Sequence, residues 1–243
     1  SLSGIVDISG SKNAALPVLC ATVINGGKNV IRNCPNISDV RDMCRLLRDI
    51  GCSVKKEGST ITVNSSEADG KKLNGETIKK IRSSITLMGA VAGRFGSFSA
   101  AKPGGCVIGE RPIDQHLKGF RALGATVIQD HGMLNAHADV LRGNNIFFDV
   151  SSVGATINII LAAVMAEGKT IIENAAKEPH IVDVANMLNS MGADIRGAGT
   201  DKIRINGVEK LHGTVYSTIP DQIEAGTFMC AAAATGGEIL IKN

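Results

Sequence analysis

The feature that most constrains this chain is a repeat. Short helices rich in small residues are predicted at 14–24, 84–93, 154–166 and 225–234, so their starts fall 70, 70 and 71 residues apart. A glycine turn and a β-rich strand follow each helix, at 28–33, 97–102, 169–174 and 238–243. Next comes an amphipathic helix whose apolar residues recur every three or four positions: Ile37, Val40, Cys44, Leu47 and Ile50, then Ile113, Leu117, Phe120 and Leu123, then Ile181, Val184, Leu188 and Met191. Each of these helices runs into a glycine, Gly51, Gly124 or Gly192, suited to a left-handed C-cap. Hairpins at 53–63, 126–138 and 194–205, turning at Gly58, at Gly132 and near Gly197 and Gly199, close the units. Each unit is therefore αβαββ, and a preceding strand makes it βαβαββ.

Three such units are expected to pack their sheets around shared helices as one domain. The fourth unit stops at Asn243, the same point of the repeat as Asn33 and Asn174, and is expected to begin a second domain. Hydrophobic residues make up 44% and aromatics 3%, with no Trp and a single Tyr, so the core must be aliphatic and alanine-rich, which favours α/β layering. The 26 basic and 23 acidic residues form no long run of either sign, which argues against a nucleic-acid or membrane surface and makes any anion site local. Six scattered cysteines, without a CxxC pair or histidines at zinc-ligand spacing, read as reduced thiols of a cytoplasmic protein with no metal site. No apolar run approaches membrane-spanning length; Ser1 opens neither a signal peptide nor a chain with an initiator Met, so the start is expected to be trimmed.

The repeat also shows where the chain departs from repetition. From the last strand residue to the first apolar residue of the amphipathic helix the gap is 4 positions in the first unit and 7 in the third, but 11 in the second, from 102 to 113. The longer loop, Lys102-Pro103-Gly104-Gly105-Cys106-Val107-Ile108-Gly109-Glu110-Arg111, places one cysteine among glycines and cations. Glycines leave its sulfur reachable, and Lys102, Arg111 and His116 favour thiolate over thiol, so Cys106 is the candidate reactive residue. A long loop in a compact repeat is more often functional than idle.

Two helix starts carry cations where the helix dipole is already positive: Ser11-Lys12-Asn13 and Arg82-Ser83-Ser84. Either Ser11 and Ser83 merely cap the helices, or cation and free N–H groups together form an anion site. The third start, Ser151-Ser152-Val153-Gly154, lacks a cation and offers hydroxyl and N–H donors. Gly168-Lys169-Thr170 imitates the tail of a P-loop, but Ala163 stands where its glycine should be and the segment leaves a helix, so it is set aside. The histidines at 131, 137, 180 and 212 read as surface or hairpin residues, while His116, on the helix after the loop, reads as an orienting or structural residue, with general base as the alternative.

Gly10-Ser11-Lys12-Asn13-Ala14-Ala15-Leu16-Pro17, Pro103-Gly104-Gly105-Cys106 running to His116, Ser152-Val153-Gly154-Ala155-Thr156, Glu173-Asn174-Ala175-Ala176 and Pro220-Asp221-Gln222-Ile223-Glu224-Ala225-Gly226-Thr227 span the chain, and with them it resembles the UDP-N-acetylglucosamine enolpyruvyl transferases. The resemblance implies an α/β fold, an inside-out α/β barrel of three βαβαββ repeats with the start of a second such domain. The expected boundaries are a stub at 1–9, the cysteine-loop domain at 10–219, and the beginning of the other domain at 220–243. It also implies transfer of the enolpyruvyl group of phosphoenolpyruvate to the sugar 3-hydroxyl with release of phosphate, the committing step of peptidoglycan synthesis. No cofactor is implied.

By the same resemblance Cys106 acts near phosphoenolpyruvate, as proton donor or covalent holder, and is the residue the epoxide fosfomycin alkylates. Lys12 and Asn13 match a hinge pair that contacts both substrates, and Arg82 a substrate-binding arginine. Arg111, Pro112, Ile113, Asp114 and Gln115 match the run that grips the uridine diphosphate, and Ser152, Val153 and Gly154 the nucleotide contact of the third unit. Two positions depart from the family: Val150 stands where some members have lysine, and Gln222 where many have arginine. The deprotonating aspartate and further phosphoenolpyruvate-binding arginines belong to the family's second domain, so this stretch alone is expected not to turn over. Two alternatives remain: a non-catalytic UDP-sugar-binding paralogue, disfavoured by the unfinished fourth unit, and another enolpyruvyl transferase such as that of the shikimate pathway, which lacks the cysteine loop.

Overall fold

The computed structural model describes residues 1–70, 84–101 and 112–243. Arg82, Lys102, Cys106 and Arg111 therefore lie outside the described residues. The first unit runs through helix α1 (Lys12–Ala21), β2 (Lys28–Arg32), α2 (Ser38–Asp49) and the hairpin β3 (Ser53–Glu57) and β4 (Thr60–Asn64). The second holds α3 (Ser84–Phe95), β5 (Ser97–Ala101), α4 (Asp114–Ala122), β6 (Thr126–Asp130) and β7 (Met133–His137). The third opens on β8 (Asn145–Phe147), then α5 (Val153–Ala163), β9 (Lys169–Glu173), α6 (Pro179–Ser190), β10 (Asp194–Arg196) and β11 (Lys202–Asn206). Strand β12 (Val215–Ser217), helix α7 (Gln222–Thr235) and strand β13 (Glu238–Lys242) follow, and β1 (Ser3–Asp7) precedes them all.

The expected helices, strands and hairpins appear in the expected order. Gly51, Gly124 and Gly192 take φ of 95°, 92° and 101° at the ends of α2, α4 and α6, the left-handed geometry that terminates a helix. The sheets stay separate, one per unit, and none of them closes on itself among the described residues. Alternate residues of the three larger sheets, Ile61 and Val63, Leu134 and Ala136, Ile203 and Ile205, point inward onto the helices, where α1, α3 and α5 are sheathed on nearly every side. With so few aromatics, close approach replaces bulk. A Cβ on Gly89 or Gly93 of α3 would lie 2.3 Å and 2.6 Å from the carbonyl oxygens of Asn158 and Leu161 on α5, so glycine alone lets these two helices touch.

The lead strands pair in two ways. In the third unit β8 pairs in parallel with β9, as a preceding strand should. In the first unit the place beside β2 is taken by β12, from the far end of the chain, while β1 pairs in parallel with β13. The reason lies in the register of a small device. Asn33, Asn174 and Asn243 each follow a strand with φ of 57°, 56° and 82°, a conformation asparagine tolerates better than most side chains. Their side-chain amides donate to the carbonyls just past the adjacent lead strand: Thr218 at 3.0 Å, Phe148 at 2.8 Å and Ile8 at 2.8 Å. The first unit is thus stapled to β12 and the fourth to β1. The terminal pair and α7 carry their apolar residues outward: Ile5, Leu240, Ile223 and Met229 are exposed, and α7 buries none of its residues. Cys230, expected in helix packing, is exposed for the same reason.

Candidate functional site

The two passages between the main body and the terminal layer run side by side. Ser11 N–H donates to the Ile219 carbonyl at 2.8 Å and Asp221 N–H to that of Ser9 at 2.9 Å, around an antiparallel bridge between Gly10 and Pro220. Ser11 holds the N-cap position of α1 but its hydroxyl makes no cap bond, contrary to the simpler reading of that serine. The carboxylate of Asp221 does the work instead. Its Oδ2 accepts from Lys12 N at 3.2 Å, while its Oδ1 accepts from Ile223 N at 2.8 Å and Glu224 N at 3.2 Å. One negative charge thus sits at the positive ends of two helices, α1 and α7. Glu224 adds a second tie, accepting from both the N–H and the hydroxyl of Ser9.

Lys12 and Asn13 occupy the first turn of α1. The Lys12 ammonium is half-exposed and pairs with Asp39 at the start of α2, Nζ to Oδ2 3.1 Å. Pro17 lies inside α1 and has no N–H, so the carbonyl of Asn13 loses its usual donor four residues on. Beneath this corner, the buried Asp183 of α6 accepts from the Tyr216 hydroxyl at 2.6 Å and from Ile219 N at 3.4 Å. Burial raises the Asp183 carboxyl above the ordinary carboxylate range, against the two bonds it accepts, and burial together with this carboxyl pushes the Tyr216 phenol up strongly.

The other expected residues gather where α4 and α5 begin. Ile113 and Gln115 are buried, whereas Pro112 and Asp114 face outward. Gln115 ties its segment to the third unit: its Oε1 accepts from Asp149 N at 3.0 Å and its Nε2 donates to Asp149 Oδ2 at 3.3 Å, with Asp114 Oδ2 at 2.7 Å. Lys118 pairs with the same Asp149 at 2.8 Å, and these bonds hold the exposed carboxylate low. Ser152 caps α5, its Oγ accepting from Ala155 N at 3.3 Å and its carbonyl from Thr156 N at 2.9 Å. Val153 and Gly154, the first two residues of α5, are part-buried, and the His116 ring lies against Gly154. Val150 is exposed beside this group.

The starts of α4 and α5, far apart in sequence, are thus neighbours, joined through Gln115 with Asp149 and His116 with Gly154. Among the described residues no hydrogen bond or ion pair joins Lys12 or Asn13 to either of them. The thiols of Cys20, Cys34, Cys44 and Cys52 are buried, and burial pushes them up, Cys34 to about 12 and Cys52 to about 11, so none is a nucleophile at neutral pH. Among the described residues no cluster of His, Cys, Asp or Glu could hold a metal ion, and no helix is long and apolar enough to cross a membrane. Several residues of the site were not singled out from sequence, among them Asp39, Lys118, Asp149, Asn158, Asp183 and Tyr216. Asn158 had a signal, a lone amide in the apolar run from Ile157 to Ala163. The second capping role of Asp221 had none, because its partner is 209 residues away.

Known proteins resemble the chain in sequence and in shape. It is 56% identical over 243 residues to a UDP-N-acetylglucosamine 1-carboxyvinyltransferase 2 of Clostridium acetobutylicum and 53% identical over 243 residues to one of Bacillus subtilis, covering 58% and 57% of their lengths. It therefore spans little more than half of the curated relatives it matches. Among solved structures, the enolpyruvyl transferase NikO from Streptomyces tendae superposes with a TM-score of 0.84 at 27% identity, covering 95% of this chain and 55% of that one. An EPSP synthase from Acinetobacter baumannii, at 22% identity and a TM-score of 0.71 over 96% of this chain and 53% of that one, shares the fold. The enolpyruvyl-transferase fold implied by the resemblance is the one observed, and with a sequence-family match extending over residues 1–243 the chain belongs to the EPSP synthase (3-phosphoshikimate 1-carboxyvinyltransferase) family.

Proposed function

We propose that the intact protein containing this chain transfers the enolpyruvyl group of phosphoenolpyruvate to the 3-hydroxyl of UDP-N-acetylglucosamine. The sugar hydroxyl gives up its proton and adds its oxygen to the phosphate-bearing carbon while the methylene carbon gains a proton; loss of a proton from that carbon together with the bond to the phosphate oxygen then restores the double bond and releases inorganic phosphate. The observation that carries the reading is that the starts of α4 and α5, at Pro112–Gln115 and Ser152–Gly154, are neighbours. The N–H groups of Val153 and Gly154, which Ser152 does not cap, and the His116 ring edge beside them suit a diphosphate better than a hydrophobic ligand. The names of the relatives support the same substrate.

In this reading Ser152, Val153, Gly154, Pro112, Ile113, Asp114 and Gln115, with Arg111 and Arg82, hold the sugar nucleotide. Lys12 and Asn13 meet both substrates at the paired crossings, and Cys106 serves the enolpyruvyl carbon as proton donor or covalent holder. The segments 1–9 and 220–243 belong to a second domain that supplies the remaining phosphoenolpyruvate contacts. The exposed apolar residues of α7 and of the β1–β13 pair support that division. The expected setting is the cytoplasm, at the first committed step of peptidoglycan synthesis, with fosfomycin as an inhibitor acting on Cys106.

Phosphate release by the intact protein tests this. Release is expected only when phosphoenolpyruvate and UDP-N-acetylglucosamine are both present, and Cys106→Ala should slow it by roughly two to four orders of magnitude if the thiol moves a proton. Release with shikimate 3-phosphate in place of the sugar nucleotide would replace this reading by that of another enolpyruvyl transferase. Tight sugar-nucleotide binding without any release would favour the non-catalytic one.

A further inference from the structure

Asn158 is a fully buried amide in an apolar helix, and such a group is tolerated only when its donors and acceptor are used. All are used here, and on other helices. Its Oδ1 accepts from Gly89 N at 2.7 Å and its Nδ2 donates to the Ile85 carbonyl at 2.8 Å, so the side chain engages both members of one i, i+4 backbone pair of α3. A backbone N–H can only donate and a carbonyl can only accept, which fixes the orientation of the amide. The second Nδ2 proton then has one place to go. His116 Nδ1 lies 2.8 Å away, and facing a donor it must accept.

A neutral imidazole that accepts at Nδ1 carries its proton on Nε2. The ring stays neutral, because burial lowers its pKa to about 4 against the opposing pull of Asp114, the one charge that acts on it among the described residues. Its Cε1–Nε2 edge faces the start of α5. A Cβ on Gly154 would lie 3.0 Å from both atoms, so the missing side chain keeps this edge clear. Ser152 satisfies the N–H groups of Ala155 and Thr156 but not those of Val153 and Gly154. His116 Nε2 likewise meets no hydrogen-bond partner among the described residues, although the residue is 5% exposed.

We propose that Asn158 is a positioning residue that locks His116 as the neutral Nε2–H tautomer, so that the imidazole and the N–H groups of Val153 and Gly154 present converging donors to a phosphate oxygen of the nucleotide. His116 then binds and does not act as a base. The ligand half of this rests on the proposed function; the tautomer half does not.

The test is 15N NMR of the histidine rings in the intact protein, with uridine diphosphate as the probe. In the wild type, His116 should show Nε2 protonated and Nδ1 bare from pH 5.5 to 8, and uridine diphosphate should shift the Nε2 signal. Asn158→Asp keeps an acceptor for Gly89 N but faces Nδ1 with an acceptor, so the proton should move to Nδ1 and uridine diphosphate affinity should fall roughly ten- to a hundredfold. His116→Asn retains an acceptor for Asn158 and removes Nε2, so it should fold normally and lose affinity to a similar extent; it decides the matter should Asn158→Asp fail to fold. A wild-type ring protonated at Nδ1, or variants that bind uridine diphosphate as the wild type does, would overturn the proposal. A wild type with the Nε2–H tautomer that ignores uridine diphosphate would instead sink the nucleotide reading of the site, and the ligand half with it.

Discussion

Helices α1 and α5 occupy equivalent places in the repeat, and their starts differ in how the first N–H groups are satisfied. The third unit caps itself: Ser152 serves its own helix from one residue away. The first unit borrows its cap from Asp221, which also caps α7. The same local sequence pattern, serine before a small-residue helix, therefore yields a self-contained start in one place and a dependent one in the other. What decides is whether a second strand of chain passes alongside, as residues 219–221 pass Ser11. The dependent start is the one at which the chain crosses between layers, so the capping of α1 reports on the crossing as well as on the helix.

The supports below the two starts differ too, and in opposite senses. Asp183 beneath the first is a buried acid with a raised pKa, and His116 beside the third is a buried base with a lowered one. A raised acid contributes stability that is whole below its unfolded pKa of about 4 and is lost as pH rises through the folded value. A lowered histidine contributes stability that is whole above about 6.5 and is lost as pH falls toward about 4.

The largest effect should come from the support of the dependent start. Tyr216→Phe leaves the buried Asp183 without its shortest bond, and about 2 kcal/mol of stability should go, measured by urea unfolding of the intact protein. A loss no larger than that of an exposed substitution would mean that Asp183 does not hold the crossing. Next, Asp221→Ala should cost about 1–2 kcal/mol and Ser152→Ala about 1 kcal/mol or less, because one removes bonds to two helices and the other a bond to one. Equal losses would erase the distinction between borrowed and local caps. The two pH dependences sharpen it further: between pH 4.5 and 7.5, the stability of Asp183→Asn relative to wild type should improve as pH rises, and that of His116→Asn should improve as pH falls. Parallel slopes would contradict both burial arguments. The smallest effect belongs to the exposed pair Lys12–Asp39, where Asp39→Ala should change stability by less than about 0.5 kcal/mol while freeing Lys12 for the substrate contact proposed above. Any consequence should therefore show in substrate affinity and not in unfolding.

Most of the fold was legible because the repeat writes its period in glycines and apolar spacing, both local signals. Gly51, Gly124 and Gly192 end their helices in the left-handed geometry that the sequence implies, and the hairpins turn where their glycines stand. The partner of β2 was not legible. Strands β1 and β12 both precede a small-residue helix, and nothing local says which of them joins β2; the choice is made by a parallel pairing across the length of the chain. The candidate site divides in the same way. Pro112–Gln115 and Ser152–Gly154 stand out as motifs, but Asp149 and Asp183 matter through contacts that only the folded chain creates.

The staple between Asn33 and Thr218 spans 185 residues, whereas its counterpart between Asn174 and Phe148 spans 26. Closing the longer loop costs nearly three doublings of length, about 2 kcal/mol of additional chain entropy. The two sheets, alike when folded, should therefore form at different times. The third unit has all four of its strands within one short stretch and can assemble as soon as that stretch is made; the first must wait, with β2 lacking its parallel neighbour, until residues 215–217 have also been made. During synthesis the earliest part of the domain to leave the ribosome would thus be the last to be completed, and amide protection in β2 should lag behind that in β9.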